Sequence, residues 1–316
     1  MSAPATAVIP RVLAVGMNAV LQKTLLLPHL RVGHVNRARQ MLLTAGGKGI
    51  HCARAANLHT PGSTTVAHFL GGANGDFVDR QLRAQQIPQL TVRIAGETRV
   101  CTTLLDEATG VMTELIDPSP PITPAERDEM VGRLVAALPG LAGLALNGTL
   151  PAGIAPELYA RLARAKGGAL LLLDAYKDVA DVLATRQVDI LKINREELRE
   201  LTGEPDSDRA AATARARFGV PVIAVTDGPH PARLYADGRT WALTLPPLPD
   251  LKNPIGAGDT VAAVMLLERL AGADAVEAFA LGLAAASASC RALEGARYTL
   301  PAMRELRARL TIAACD

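Results

Sequence analysis

Aromatic side chains are scarce: of 316 residues only 3% are Phe, Trp or Tyr, with a single Trp. So few rings leave little on which nucleobases could stack. Neither charge is in excess, since 33 Lys and Arg face 31 Asp and Glu for a formal net charge of +2. DNA- and RNA-binding chains carry a clustered basic surplus, so this balance argues against a nucleic-acid partner. Cysteine is rare too. Cys52, Cys101, Cys290 and Cys315 stand far apart with no CxxC pair, which speaks against a disulfide framework or a structural zinc site. No apolar run approaches the roughly 18 residues of a membrane span. The first residues, MSAPATAVIPRVLAVG, lack the basic n-region of a signal peptide. The chain is expected to be soluble and cytosolic, with no membrane partner.

What is present is a hydrophobic content of 49%, enough for a large core. From Pro124 onward it is laid out regularly: a helix, the strand LAGLALN, a helix, ALLLLD, a helix, VDILKIN, two helices, and VPVIAV. Short apolar runs alternating with helices predict a mainly parallel sheet covered on both faces, a doubly wound α/β fold. Two strands, ARLYAD and TWALTL, flank a turn at Asp237–Gly238, and the last 45 residues are Ala-rich and read as helical. Residues 91–116 alternate at period two around Ala108–Gly110 and read as a hairpin. The segments 18–45 and 95–118 break the regular order. They are expected to form a small β-sheet, a lid inserted in one domain spanning residues 1–316.

Three stretches could carry chemistry. Asn253-Pro-Ile-Gly-Ala-Gly-Asp259-Thr260 precedes an apolar helix. Glycines at a helix start let backbone N–H groups reach an anion, and Asp259 beside them could act as a base toward an attacking hydroxyl. An N-cap role would account for Asp259 equally well. Asn194-Arg-Glu-Glu197 follows VDILKIN. It has the spacing of a capping box, and it also sets two oxygen-bearing side chains where open sheets bind ligands. Ala45-Gly46-Gly47-Lys48-Gly49 is no Walker A loop, because Gly49 occupies the position that needs Ser or Thr. It reads instead as a glycine hinge presenting one of only six lysines, suited to lid closure.

Together, GGKG, NREE, TDG and GAGD in that order, with GETRVCTTLLD, TELIDPSPPIT and LNGTLPAGI, resemble the PfkB (ribokinase-like) carbohydrate kinases. The likeness is strongest to the hexose-phosphate branch that includes 1-phosphofructokinase and tagatose-6-phosphate kinase. It implies a ribokinase-like fold, ATP and Mg²⁺ as cofactors, a sugar or sugar-phosphate acceptor, and a homodimer formed through the β-lid. By matching position, Asp259 would be the base, and the amides of Gly256, Ala257 and Gly258 would form the anion hole. Asn194 and Glu197 would organise Mg²⁺ through water. Thr226 and Gly228 would touch the nucleotide, whose adenine would lie near Asn253 and Ser287. Lys48 and Arg99 would face the phosphate of the acceptor. Asn18, Gln22, Gly46, Gly47, His51 and Cys101 would complete the acceptor site.

The departures fall on that acceptor side. Gln22 stands where the branch has an Asp, and His51 and Cys101 stand where it has Asn. Each replaced contact would weaken hydroxyl recognition by about 1–3 kcal/mol if nothing compensates. The expected activity is ATP-dependent phosphorylation of a hydroxyl on a phosphorylated hexose. A kinase for an unphosphorylated sugar or nucleoside, and a non-catalytic nucleotide- or sugar-binding regulator, remain as alternatives.

Overall fold

The computed structural model describes residues 9–315. In chain order, β1 (Val12–Val15), β2 (Val20–Leu27) and β3 (Gln40–Gly46) lead into α1 (Lys48–His59), β4 (Thr64–Leu70), α2 (Gly72–Ala84) and β5 (Gln89–Arg93). Next come β6 (Val100–Asp106), β7 (Met112–Ile116), α3 (Pro124–Ala137), β8 (Gly143–Asn147), α4 (Glu157–Ala165), β9 (Leu170–Asp174) and α5 (Ala180–Ala184). They are followed by β10 (Ile190–Asn194), α6 (Arg195–Thr202), α7 (Ser207–Phe218), β11 (Val222–Thr226), β12 (Ala232–Ala236) and β13 (Arg239–Thr244). The chain closes with α8 (Ala257–Leu270), α9 (Ala275–Ser289), α10 (Leu300–Arg309) and β14 (Thr311–Cys315).

Ten strands form one sheet in the order β14-β13-β12-β11-β10-β9-β8-β1-β4-β5. It is parallel from β5 to β11 and antiparallel from β11 to β14. Successive side chains point to opposite faces, so neighbouring residues of one strand enter different cores. Val12 and Ala14 of β1 pack with α1, α8, α9 and α10. Leu13 and Val15 pack on the other face with α3, α4 and α7. Both faces being covered explains the near-continuous apolar strands. The expected doubly wound architecture is present. Among the described residues, no helix is long and apolar enough to cross a membrane.

A second sheet has the order β3-β2-β6-β7, built from the two segments that broke the regular alternation. Two expectations need correction. Residues 91–116 are not one hairpin: β5 joins the large sheet parallel to β4, and only β6 and β7 pair antiparallel in the small one. The C-terminal region is not wholly helical either, since β14 pairs with β13 at the sheet edge. TIAAC carries weak strand propensity, and pairing with a distant strand overrides it.

Candidate functional site

The small sheet and the carboxyl ends of the large sheet's strands enclose a cleft of about 450 Å³. Its floor begins where β1 meets α1. A Cβ on Gly16 would lie 2.4 Å from the Gly49 Cα, so only two glycines allow the start of α1 to rest on the end of β1. That contact places Lys48 and His51 in the cleft.

Opposite them begins α8. Its N-cap is Gly256, in the left-handed conformation at φ 77°, and no side chain caps the helix. Five other helices are capped by Thr123, Asn194, Asp206, Asp274 and Thr299 side chains. The Ala257 amide donates to the Pro254 carbonyl at 3.1 Å, which removes it from the expected anion hole. Among the described residues, the amides of Gly256 and Gly258 have no partner, and both glycines line the cleft. Free N–H groups at the start of a long helix form an anion site. Asp259 lies in the first helical turn without capping it, so the N-cap account of this residue falls.

Charge is organised around Asp174, which is fully buried at the end of β9. Its Oδ1 lies 3.1 Å from Lys48 Nζ and its Oδ2 lies 3.7 Å from Lys192 Nζ. Burial alone would push the Asp174 carboxyl up, yet Lys192 and Lys48 hold it below the usual carboxylate range. Burial likewise opposes the charge on Lys48, but Asp174, then Asp259 and Glu197, raise its pKa above the ordinary lysine value. Lys48 is therefore held by protein carboxylates. Lys192 reaches the α8 terminus, since a Cβ on Gly258 would lie 2.5 Å from its Nζ.

Asn194 and Glu197 do form a capping box. Asn194 Oδ1 accepts from the Glu197 amide at 2.8 Å, and Glu197 Oε2 accepts from the Asn194 amide at 3.1 Å. Both also line the cleft, and Glu197 Oε1 remains outside the cap, 3.9 Å from Lys48 Nζ. The structural and chemical readings of this motif are compatible.

Among the residues expected to meet the acceptor, Asn18 donates to Thr149 O at 2.9 Å and to Thr149 Oγ1 at 3.0 Å. It accepts from Ser119 Oγ at 2.7 Å. Gln22 donates to Cys101 O and Thr103 Oγ1, at 3.2 and 2.7 Å, leaving its Oε1 without a protein partner. The Cys101 thiol points to Glu114 Oε1 at 3.6 Å, and burial followed by Glu114 pushes its pKa up to about 11. Arg99 lines the cleft, makes no ion pair among the described residues, and has a buried Nε with no partner. Gly46 and Gly47 form the crossing from β3 into α1.

The structure thus gathers Asn18, Gln22, Gly47, Lys48, His51, Arg99, Cys101, Asn194, Glu197, Gly256, Gly258 and Asp259 around one cleft. It does not bring the expected nucleotide contacts into it. Thr226 pairs in register with Asn194 and continues the same sheet edge, with Gly228 in the turn beyond. The Asn253 side chain is buried, bonding Leu293 O at 2.7 Å and the Ile255 amide at 3.0 Å. Ser287 Oγ bonds Leu283 O at 3.0 Å within α9. Those two side chains brace the fold. Sequence reasoning missed Lys192, Asp174, Glu114 and Asn147, all of which lie at or beside the cleft. A Lys inside VDILKIN was the available signal, because a charge in an apolar strand needs a partner.

A profile for "pfkB family carbohydrate kinase" matches residues 18–303, and the chain belongs to that family. A 1-phosphofructokinase of Rhodobacter capsulatus is 32% identical over 286 residues, covering 86% of this chain and 90% of that protein. A tagatose-6-phosphate kinase of Staphylococcus epidermidis is 28% identical, covering 80% and 83%. Phosphofructokinase-2 from Escherichia coli in complex with fructose-6-phosphate superposes with a TM-score of 0.82 at 23% identity, covering 96% and 99%. Ribokinase from Thermotoga maritima gives 0.75 at 17%, covering 94% and 99%. The fold is ribokinase-like. As a carbohydrate kinase the chain is a phosphotransferase, and its family implies ATP as the phosphoryl donor.

Proposed function

We propose that this chain transfers the γ-phosphoryl group of ATP to a hydroxyl of a phosphorylated hexose. The observation that carries the reading is Arg99: a guanidinium without an ionic partner, facing the same cleft as Asp259. An unpaired cation partly withdrawn from water favours a bound anion, and a planar guanidinium suits phosphate oxygens. The relatives named 1-phosphofructokinase and tagatose-6-phosphate kinase fit the same substrate class.

In the reaction, Asp259 takes the proton of the acceptor hydroxyl. The acceptor oxygen forms a bond to the γ-phosphorus while the bond from that phosphorus to the bridging oxygen breaks, and ADP leaves with the electron pair. Charge developing on the phosphoryl oxygens is met by the amides of Gly256 and Gly258 and by Lys192. Catalysis rests on positioning and charge stabilisation.

Mg²⁺ fits this site only indirectly. Among the described residues, no three His, Cys, Asp or Glu side chains cluster as a protein cage. Mg²⁺ keeps several waters and takes phosphate oxygens readily, and Glu197 Oε1 with Asn194 offers the outer ligands for such an ion. When bound, it would neutralise triphosphate charge.

The small sheet also supports a homodimer, because its face away from the cleft exposes Met41 and Leu115 at 54% and 56%. Sedimentation of Leu115→Lys against the parent chain tests this, and an unchanged mass would refute it. The catalytic reading is tested by offering ATP and Mg²⁺ with fructose 1-phosphate, fructose 6-phosphate, tagatose 6-phosphate, ribose, fructose and adenosine. Turnover on a phosphosugar that disappears in Asp259→Ala is expected. Turnover confined to neutral acceptors would overturn the reading in favour of an unphosphorylated substrate. Binding of ATP without transfer to any acceptor would favour a regulator.

A further inference from the structure

His51 lines the cleft, and its ring meets the first turn of α8. Its Nδ1 lies 3.0 Å from Asp259 Oδ2, and both side chains are buried. The ring is closely walled. A Cβ on Gly256 would sit 3.2 Å from the His51 Cγ, and one on Gly295 would sit 3.2 Å from its Nε2. Nε2 is buried and has no hydrogen-bond partner. Leaving a buried polar atom unpaired is unfavourable, and a packing residue of similar shape would avoid it. What the histidine gains is the single contact through Nδ1.

We infer that His51 is a positioning residue for the base: it donates Nδ1–H to Asp259 Oδ2, fixing the carboxylate so that Oδ1 alone meets the acceptor hydroxyl. A carboxylate free to rotate would divide its population among geometries that do not accept the proton. The dyad inverts the usual order of such pairs, because the carboxylate handles the substrate proton and the imidazole orients it. The other groups facing Asp259 come from every neighbouring element. Lys48 and Cys52 of α1 feel its charge, and beyond Lys48 stand Asp174 on β9 with Lys192 on β10, and Glu197 on α6. Among the described residues, only the His51 ring holds an Asp259 oxygen directly.

The inference makes a discriminating demand on substitutions. In Asn the amide atoms branch from Cγ, where Nδ1 of His is attached, so His51→Asn can keep the donor in place. In Gln the amide is one bond further out, and in Leu there is none.

The inference rests on the kinase reading, so the parent enzyme is assayed first on the phosphosugar panel. No turnover by the parent on any acceptor means that the kinase reading itself has failed. With turnover present, His51→Asn should hold kcat within about three-fold, while His51→Gln and His51→Leu should lose about 10- to 100-fold in kcat with KM nearly unchanged. Thermal midpoints within a few degrees of the parent would show that the variants fold. Equal losses in all three variants, or losses that fall on KM with kcat unchanged, would overturn the inference.

Discussion

Lys48, the lysine of the glycine hinge, is bound to Asp174 through a 3.1 Å contact between Nζ and Oδ1. It therefore ties the start of α1 to the end of β9. Its partner is fully buried and shared with Lys192, so the three groups form one charge cluster. Removing the central carboxylate strands two cations. Asp174→Ala should cost about 3–5 kcal/mol by chemical denaturation. Lys48→Met should cost less, because Lys48 is partly exposed and Lys192 still faces Asp174. Equal losses in the two variants would show that the cluster does not act as described.

Gly258 lies where a side chain would strike Lys192. Gly258→Ala puts a Cβ 2.5 Å from Nζ, and the flexible lysine end must move away from the α8 amides. Stability should change little, whereas kcat should fall about 100-fold through loss of phosphoryl stabilisation. Steady-state kinetics beside a denaturation curve separates the two effects.

Arg99 lines the cleft and makes no ion pair among the described residues, and the proposed reaction gives it the phosphate of the acceptor. Arg99→Leu should lower kcat/KM for a phosphorylated hexose by about 10- to 100-fold, the worth of a charge-assisted hydrogen bond. The KM for ATP should stay constant. A variant with parent-like kcat/KM would leave the acceptor phosphate without its proposed ligand.

His68 sets an acid limit on stability. It is fully buried on β4, with Nε2 3.0 Å from Thr91 Oγ1 and Nδ1 unpartnered. Burial lowers its pKa from 6.5 to about 4. Between those values the unfolded chain binds a proton that the folded chain excludes. Stability is thus full above about pH 6.5 and declines as pH falls toward 4, by roughly 3 kcal/mol at the lower end. The depressed Asp174 carboxyl adds its loss only at lower pH, below its ordinary range. As pH drops through this window, the denaturant midpoint of the parent should fall while that of His68→Leu loses this contribution and falls less.

Much of this was legible before any coordinates. The apolar runs LAGLALN, ALLLLD and VDILKIN became β8, β9 and β10 because strands buried on both faces need continuous apolarity. GGKG, NREE and GAGD converged because each lies at the carboxyl edge of the sheet or at the start of an adjoining helix. β14 was not legible, since TIAAC becomes a strand only by pairing with β13. The destination of His51 was hidden for a similar reason. Its partner lies 208 residues away, and local spacing carries no record of which buried groups meet. Asn253 and Ser287 were singled out by position, and their side chains bond backbone groups, which local sequence does not reveal.

The strand order has a consequence for how the enzyme comes into being. From β8 to β14 each new strand adds beside its predecessor, while β1 is enclosed between β4 and β8. During synthesis most of the sheet can therefore assemble in chain order, growing toward one edge. The reactive pair cannot, because His51 belongs to the first helix and Asp259 to the eighth. Contacts of such sequence separation form late and slowly. A chain emerging from the ribosome would carry most of its sheet well before it carried any activity, and pulse-labelled hydrogen exchange on refolding should protect β8 to β10 before α8.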